Sequence, residues 1–208
     1  MLETDKLIIN YFVPFTGGKF VYSCIMLAQE AYPMIPKNQL LDRLQASMNS
    51  WNQVEYSDID FWWKDYRHDW FNTNNWQDYL SVDAKTALEN SRYVSYTCHD
   101  YKSVKHLKRI FKNAKILTVI PNRDLCKQNY LNKNWNKQEP VFETSRIQKD
   151  INEFTVLATD LIYKQEATFN KDYFVENITD LYSKLEITLD LDLVLKYREL
   201  YLNSKFNK

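Results

Sequence analysis

Only two positions in this chain carry glycine, and they are neighbours: Gly17 and Gly18, in the stretch NYFVPFTGGKFVYSC at 10–24. Glycine enters positive φ without steric penalty and lets another group approach bare backbone. Every other turn and helix cap in 208 residues is made without it. The pair follows one apolar run and precedes another, so it marks a tight joint between two buried elements.

The flanking pattern gives the elements. Lys6 to Val13 reads as a short buried strand ended by Pro14. Phe20 to Ala31 reads as a buried helix closed by Pro33 and Pro36. Residues 38–51 repeat Leu40, Leu41, Leu44 and Met48 at helical spacing. After Ser81 the segment VDAKTALENS reads as a helix. Arg92 to Thr97 is a second strand with His99 and Asp100 at its end, and Tyr101 to Lys112 is an amphipathic helix with Val104, Leu107, Ile110 and Phe111 inward. Ala114 to Ile120 is apolar almost throughout, as a central parallel strand is. Pro121, Asn122 and Arg123 form a turn into a helix over 124–132, and three further helices are expected at Thr144 to Gln165, Lys171 to Leu185 and Leu191 to Phe206.

Strand and helix in alternation predict an α/β fold, a parallel sheet in three layers with helices on both faces and a helical C-terminal part. No linker or internal repeat divides it, so residues 1–208 read as one domain, with an aromatic segment at 56–80 and C-terminal helices at 144–208. Trp62, Trp63, Trp70 and Trp76 in that segment fit either a flap that completes the core or a wall for an acceptor substrate. Ligands in such sheets bind at the carboxyl ends of the strands. Pro14 to Phe20, His99-Asp100 and Asn122-Arg123 all fall there.

Composition narrows the partners. Apolar residues at 45% suffice for a packed core, and lysine plus arginine equal aspartate plus glutamate. The even balance gives no general attraction to nucleic acid or an anionic membrane, although a local basic site is compatible with it. Cys24, Cys98 and Cys126 are odd in number and far apart, which points to a reducing cytoplasm and to neither a disulfide framework nor a zinc site. The bias toward Asn, Lys, Ile, Tyr and Phe is that of AT-rich genomes, phages among them.

A strand followed by Thr16-Gly17-Gly18-Lys19 and a helix is an arrangement for cradling an anion: glycine amides and a helix N-terminus face it, with a hydroxyl and an ammonium beside them. A tight turn without a ligand is the other reading. The Walker A pattern is not met, since Val13 stands where its first glycine belongs and Phe20 where the magnesium-binding hydroxyl belongs.

The stretch VPFTGGKF resembles the PAPS-binding loop of sulfotransferases. SYTCHDYKSVKHLKRIFKNAKILTVIPNRDLCKQNY is similar to that family's later strand–helix–strand segment, and LYSKLEITLDLDLVLKYRELYLNSK to the closing helices of small phage-type members. The resemblance implies a P-loop NTPase-like topology and transfer of a sulfuryl group from PAPS (3′-phosphoadenosine 5′-phosphosulfate) to an acceptor hydroxyl or amine, without metal. It places Phe15, Thr16, Gly17, Gly18, Lys19 and Phe20 in the 5′-phosphosulfate loop, Arg123 at the 3′-phosphate, and Lys19 and His99 in catalysis. Phe15 stands where the family has lysine and Lys19 where it has threonine or serine. The charge has then either moved along the loop or left its working position, the latter giving a weakened relic that binds. A small-molecule or carbohydrate acceptor is implied, with neither nucleic acid nor membrane as partner. A kinase-like nucleotide-binding P-loop protein is the alternative.

Overall fold

The computed structural model describes residues 4–12, 17–32, 36–49, 65–66, 82–98, 101–122, 124–125 and 160–206. Strands β1 (Leu7–Tyr11), β3 (Val94–Cys98), β4 (Lys115–Ile120) and β5 (Leu161–Lys164) form an all-parallel sheet. A two-residue strand, β2 (Asp65–Tyr66), extends one edge, giving the order β2-β3-β1-β4-β5. Helices α1 (Gly18–Met26), α2 (Lys37–Asn49), α3 (Val82–Glu89), α4 (Tyr101–Ile110), α5 (Lys171–Leu185) and α6 (Leu191–Phe206) accompany it. The expected α/β class and parallel sheet are present. Among the described residues no helix is long and apolar enough to cross a membrane.

All five residues of β1 are buried, because the strand lies in the middle of the sheet with helices on both faces. The pleat sends Leu7, Ile9 and Tyr11 to one face, where they meet Leu88 of α3 and Val104 and Leu107 of α4. It sends Ile8 and Phe12 to the other, where they join α1, the leucines of α2 and the inner faces of α5 and α6.

The C-terminal part differs from expectation at one point. Residues 161–164, the end of the expected helix from Thr144 to Gln165, form strand β5. Leu161 and Tyr163 are buried while Ile162 is 47% exposed and Lys164 is exposed, a period of two that places one face on the core. Residues 144–159 lie outside the described residues. The last two helices stand at their expected bounds. Helix α5 is capped by Asn170, whose Oδ1 accepts from Tyr173 N at 3.0 Å, and buries Phe174, Ile178, Leu181, Tyr182 and Leu185 at helical spacing. Asp190 caps α6 by accepting from Leu193 N at 3.0 Å.

Helix α1 ends without a charged residue in its last turn. Its last carbonyl is met by the first residue of α2 instead: Lys37 Nζ donates to Met26 O at 3.0 Å, and to Ala31 O in the connection that follows at 2.8 Å. Burial, with the nearby Arg92 charge adding, brings the Lys37 ammonium down to about 8.

Candidate functional site

The connection after β1 returns toward β2 on one side of the sheet, while that after β4 leads to β5 on the other. Such a divergence opens a crevice at the carboxyl ends of the strands. The joint between β1 and α1 sits at that point.

Gly17 is the N-cap of α1 and adopts φ 79°, ψ 19°, the left-handed region. Its carbonyl accepts from Phe20 N at 2.9 Å and Val21 N at 3.2 Å, which closes the first turn. Gly17, without a side chain, offers this end no cap of its own. Among the described residues no acceptor meets the amides of Gly17 or Gly18. Those amides lie at the positive end of a nine-residue helix, where a negative charge is favoured.

Each glycine also has a reason internal to the fold. A Cβ on Gly18 would lie 1.9–2.5 Å from three ring carbons of Phe12, so helix and strand can pack this closely only around a bare backbone. Among the described residues a Cβ on Gly17 would meet only the Tyr201 hydroxyl, at an ordinary 3.5 Å; there the requirement is the positive φ. The two neighbours answer two different demands. Neither demand accounts for two amides that, among the described residues, meet no acceptor.

Beneath the joint lies Asn10, fully buried in an otherwise apolar strand. Its Nδ2 donates to Gly18 O at 3.1 Å and fixes the first peptide of α1 against the sheet. Above it, α6 covers the first turn. The Phe20 ring packs against Tyr197 at 5.4 Å, Tyr201 at 4.5 Å and Phe174 at 5.8 Å. Tyr197 bonds to Ser23, whose Oγ donates to Lys19 O at 2.9 Å. Burial pushes the phenols of Tyr197 and Tyr201 well up, so both stay protonated donors at neutral pH.

Of the residues singled out from sequence, Gly17, Gly18, Lys19 and Phe20 come together at the start of α1. Phe20 does so through its backbone alone: its ring is 1% exposed and points into the core, so the side chain serves packing and not a ligand. Lys19 is half-buried in the first turn. Phe15, Thr16, His99, Asp100 and Arg123 lie outside the described residues, as does segment 56–80 apart from Asp65 and Tyr66.

The neighbouring strand end is held firmly. Asn122 N donates to Gln165 Oε1 at 2.7 Å, tying the end of β4 to the turn after β5. Its Oδ1 accepts from Asp124 N and Leu125 N at 3.1 and 3.2 Å. The residues that sequence reasoning missed are Asn10 and Tyr201. Asn10 left a signal, a lone amide inside LIINYF. Tyr201 left none, because nothing local relates it to a turn near residue 17.

No protein-family model matches the chain, and no curated protein matches its sequence.

Proposed function

We propose that the chain binds a phosphorylated adenosine nucleotide at the joint between β1 and α1 and transfers a sulfuryl group from PAPS to an acceptor hydroxyl or amine. The observation that carries the reading is the start of α1, with Gly17 in the left-handed region and, among the described residues, no acceptor on the amides of Gly17 and Gly18, at the divergence point of the sheet. The order β2-β3-β1-β4-β5 with a glycine turn after the central strand supports reading the sheet as P-loop-like.

In this reading Thr16, Gly17 and Gly18 hold the 5′-phosphosulfate, with Asn10 setting the angle of the Gly18 peptide. Lys19 brings a positive charge to the phosphate as it leaves sulfur. His99, at the carboxyl end of β3, takes the acceptor proton while the acceptor oxygen or nitrogen bonds to sulfur and the sulfur–phosphate oxygen bond breaks. Arg123 contacts the 3′-phosphate after β4. PAPS supplies the activated sulfuryl group.

Thermal unfolding with PAPS, with adenosine 3′,5′-bisphosphate and with ATP, each with and without magnesium, tests this. Saturating ligand stabilises by about 3 kcal/mol at 100 times Kd, which for a chain of this size is a Tm rise of about 5 °C or more. The rise is expected with both 3′-phosphorylated ligands and without magnesium. No rise with either overturns the reading, and a rise only with magnesium and ATP replaces it with the kinase-like one. Given binding, Lys19→Ala weakens the shift or removes turnover, and His99→Ala spares the shift and removes turnover.

A further inference from the structure

The even charge of the whole chain hides a local imbalance. From Tyr101 to Arg123 there is no acidic residue, while Lys102, Lys105, Lys108, Arg109, Lys112, Lys115 and Arg123 are all cationic. Helix α4 sorts this segment. Val104 and Leu107 are fully buried against the sheet. Lys105 and Arg109, one turn apart, share the opposite side; Lys112 follows in the turn just past the helix end, and all three are exposed.

The other cations of the segment are partly engaged. Lys108 faces Asp160 at 3.8 Å and donates to Ala114 O, and Lys115 donates to Lys184 O at 3.1 Å. Among the described residues Lys105, Arg109 and Lys112 face no carboxylate. Like charges three and four residues apart repel one another, so folding gains nothing from this row.

We propose that this ridge of α4 docks the phosphate backbone of a nucleic acid without regard to sequence, a function separate from the nucleotide reading of the β1–α1 joint. Lys105 and Arg109 stand about 6 Å apart along the helix at 1.5 Å per residue, the span of about two phosphates of one strand at 3.4 Å each, and Lys112 follows two residues past the helix end. A helix about 10–12 Å across also fits a groove about 12 Å wide. The chemistry of the face disfavours other anionic surfaces. Protein interfaces centre on aromatic and apolar anchors and are poor in lysine, and among the described residues the one exposed large hydrophobic is Ile162 on β5. The apolar side of α4 is committed to the core, so none of it is left to enter a bilayer.

The test is fluorescence anisotropy of the full chain with a labelled 20-base-pair duplex and a labelled 20-nucleotide single strand, from 50 to 200 mM salt. Poly-glutamate and phosphatidylserine vesicles are run beside them. Three phosphate contacts give a salt slope of about −2.7, so duplex affinity falls about 40-fold over that range. Lys105→Glu/Arg109→Glu/Lys112→Glu is expected to remove binding and flatten the slope, and the milder Lys105→Gln/Lys112→Gln to lower the slope by about 2. Unchanged far-ultraviolet circular dichroism checks that the variants fold. No binding at 50 mM salt, wild-type binding by a folded triple variant, or equal affinity for poly-glutamate or vesicles would each overturn the proposal.

Discussion

The two faces of the sheet bury apolar residues in different ways. On the α3–α4 face the core is compact and largely aliphatic, with Leu7, Ile9, Leu88, Val104, Leu107 and Ile116 at its centre. On the α1–α5–α6 face, hydroxyls run through the core. Tyr182 donates to Cys24 O, Tyr163 pairs with Thr168 Oγ1 at 2.9 Å, and Arg198 Nε donates to Thr168 O at 2.7 Å. A buried tyrosine adds area and joins elements by a directional bond, so this face fixes where α1 begins relative to the sheet. The candidate site stands on that face. The opposite helix keeps its polar chemistry in solvent, on the basic side of α4.

Alkaline pH should separate the faces most strongly. Burial raises the pKa values of Cys24, Tyr163, Tyr182 and Tyr197, all on the α1–α5–α6 face. A phenol with a raised folded value keeps its proton when the unfolded chain loses it near pH 10. Stability is therefore intact below that pH and falls above it, by about 1.4 kcal/mol per pH unit for each such phenol. Lys37 acts with the opposite sign: lowered to about 8 in the fold, it adds stability as pH rises from 8 toward its ordinary 10.5. Urea unfolding at pH 8, 9.5 and 11.5 should show little loss to 9.5 and a loss of several kcal/mol by 11.5. Lys37→Met should remove the gain between 8 and 9.5. A flat profile to pH 11.5 would break the contrast between the faces.

The glycine pair should divide next. Gly18→Ala places a methyl group inside the Phe12 ring contact and is expected to cost about 3 kcal/mol, the upper range for an overpacked core. Phe12→Leu in the same chain should return part of that loss. Gly17→Ala meets ordinary space and strains only φ, at about 1 kcal/mol, and Gly17→Asn less. Equal losses for both alanine variants in urea unfolding would mean that the two demands are one.

These reasons mark the limit of what the sequence shows. The joint itself was legible, because an apolar β-branched run, a proline and two glycines act within a few residues. Apart from β2 and β5, the order of strands and helices was legible for the same reason, and α5 and α6 carry capping residues and stripes that fix their bounds. Strand β5 was not: LIYK is too short for its alternation to stand out against helical neighbours, and its partner β4 is about forty residues away in sequence. The Phe12 ring over Gly18 and the Tyr201 hydroxyl beside Gly17 are contacts of the folded chain. They turn one signal, two glycines, into two structural demands plus a helix start whose first amides meet no acceptor among the described residues.

The smallest effect distinguishes two surface ion pairs of similar appearance. Lys184 and Asp180 stand 2.7 Å apart on α5, one turn from each other, each about half exposed. Water and salt screen such a pair, and Lys184 keeps its favourable place near the helix C-terminus without it, so Asp180→Ala should cost about 0.3 kcal/mol. Asp160 faces Lys108 at a looser 3.8 Å, yet its Oδ2 also accepts from Ile116 N at 2.8 Å. That bond joins the residue before β5 to the start of strand β4, where the Ile116 amide would otherwise lose a partner. Asp160→Ala should therefore cost about 1 kcal/mol, and 0.5 M salt should reduce the Asp180 effect while leaving most of the Asp160 effect. Equal, equally salt-sensitive losses would show that Asp160 acts through its charge and that the edge of the sheet is held by the helix packed on it.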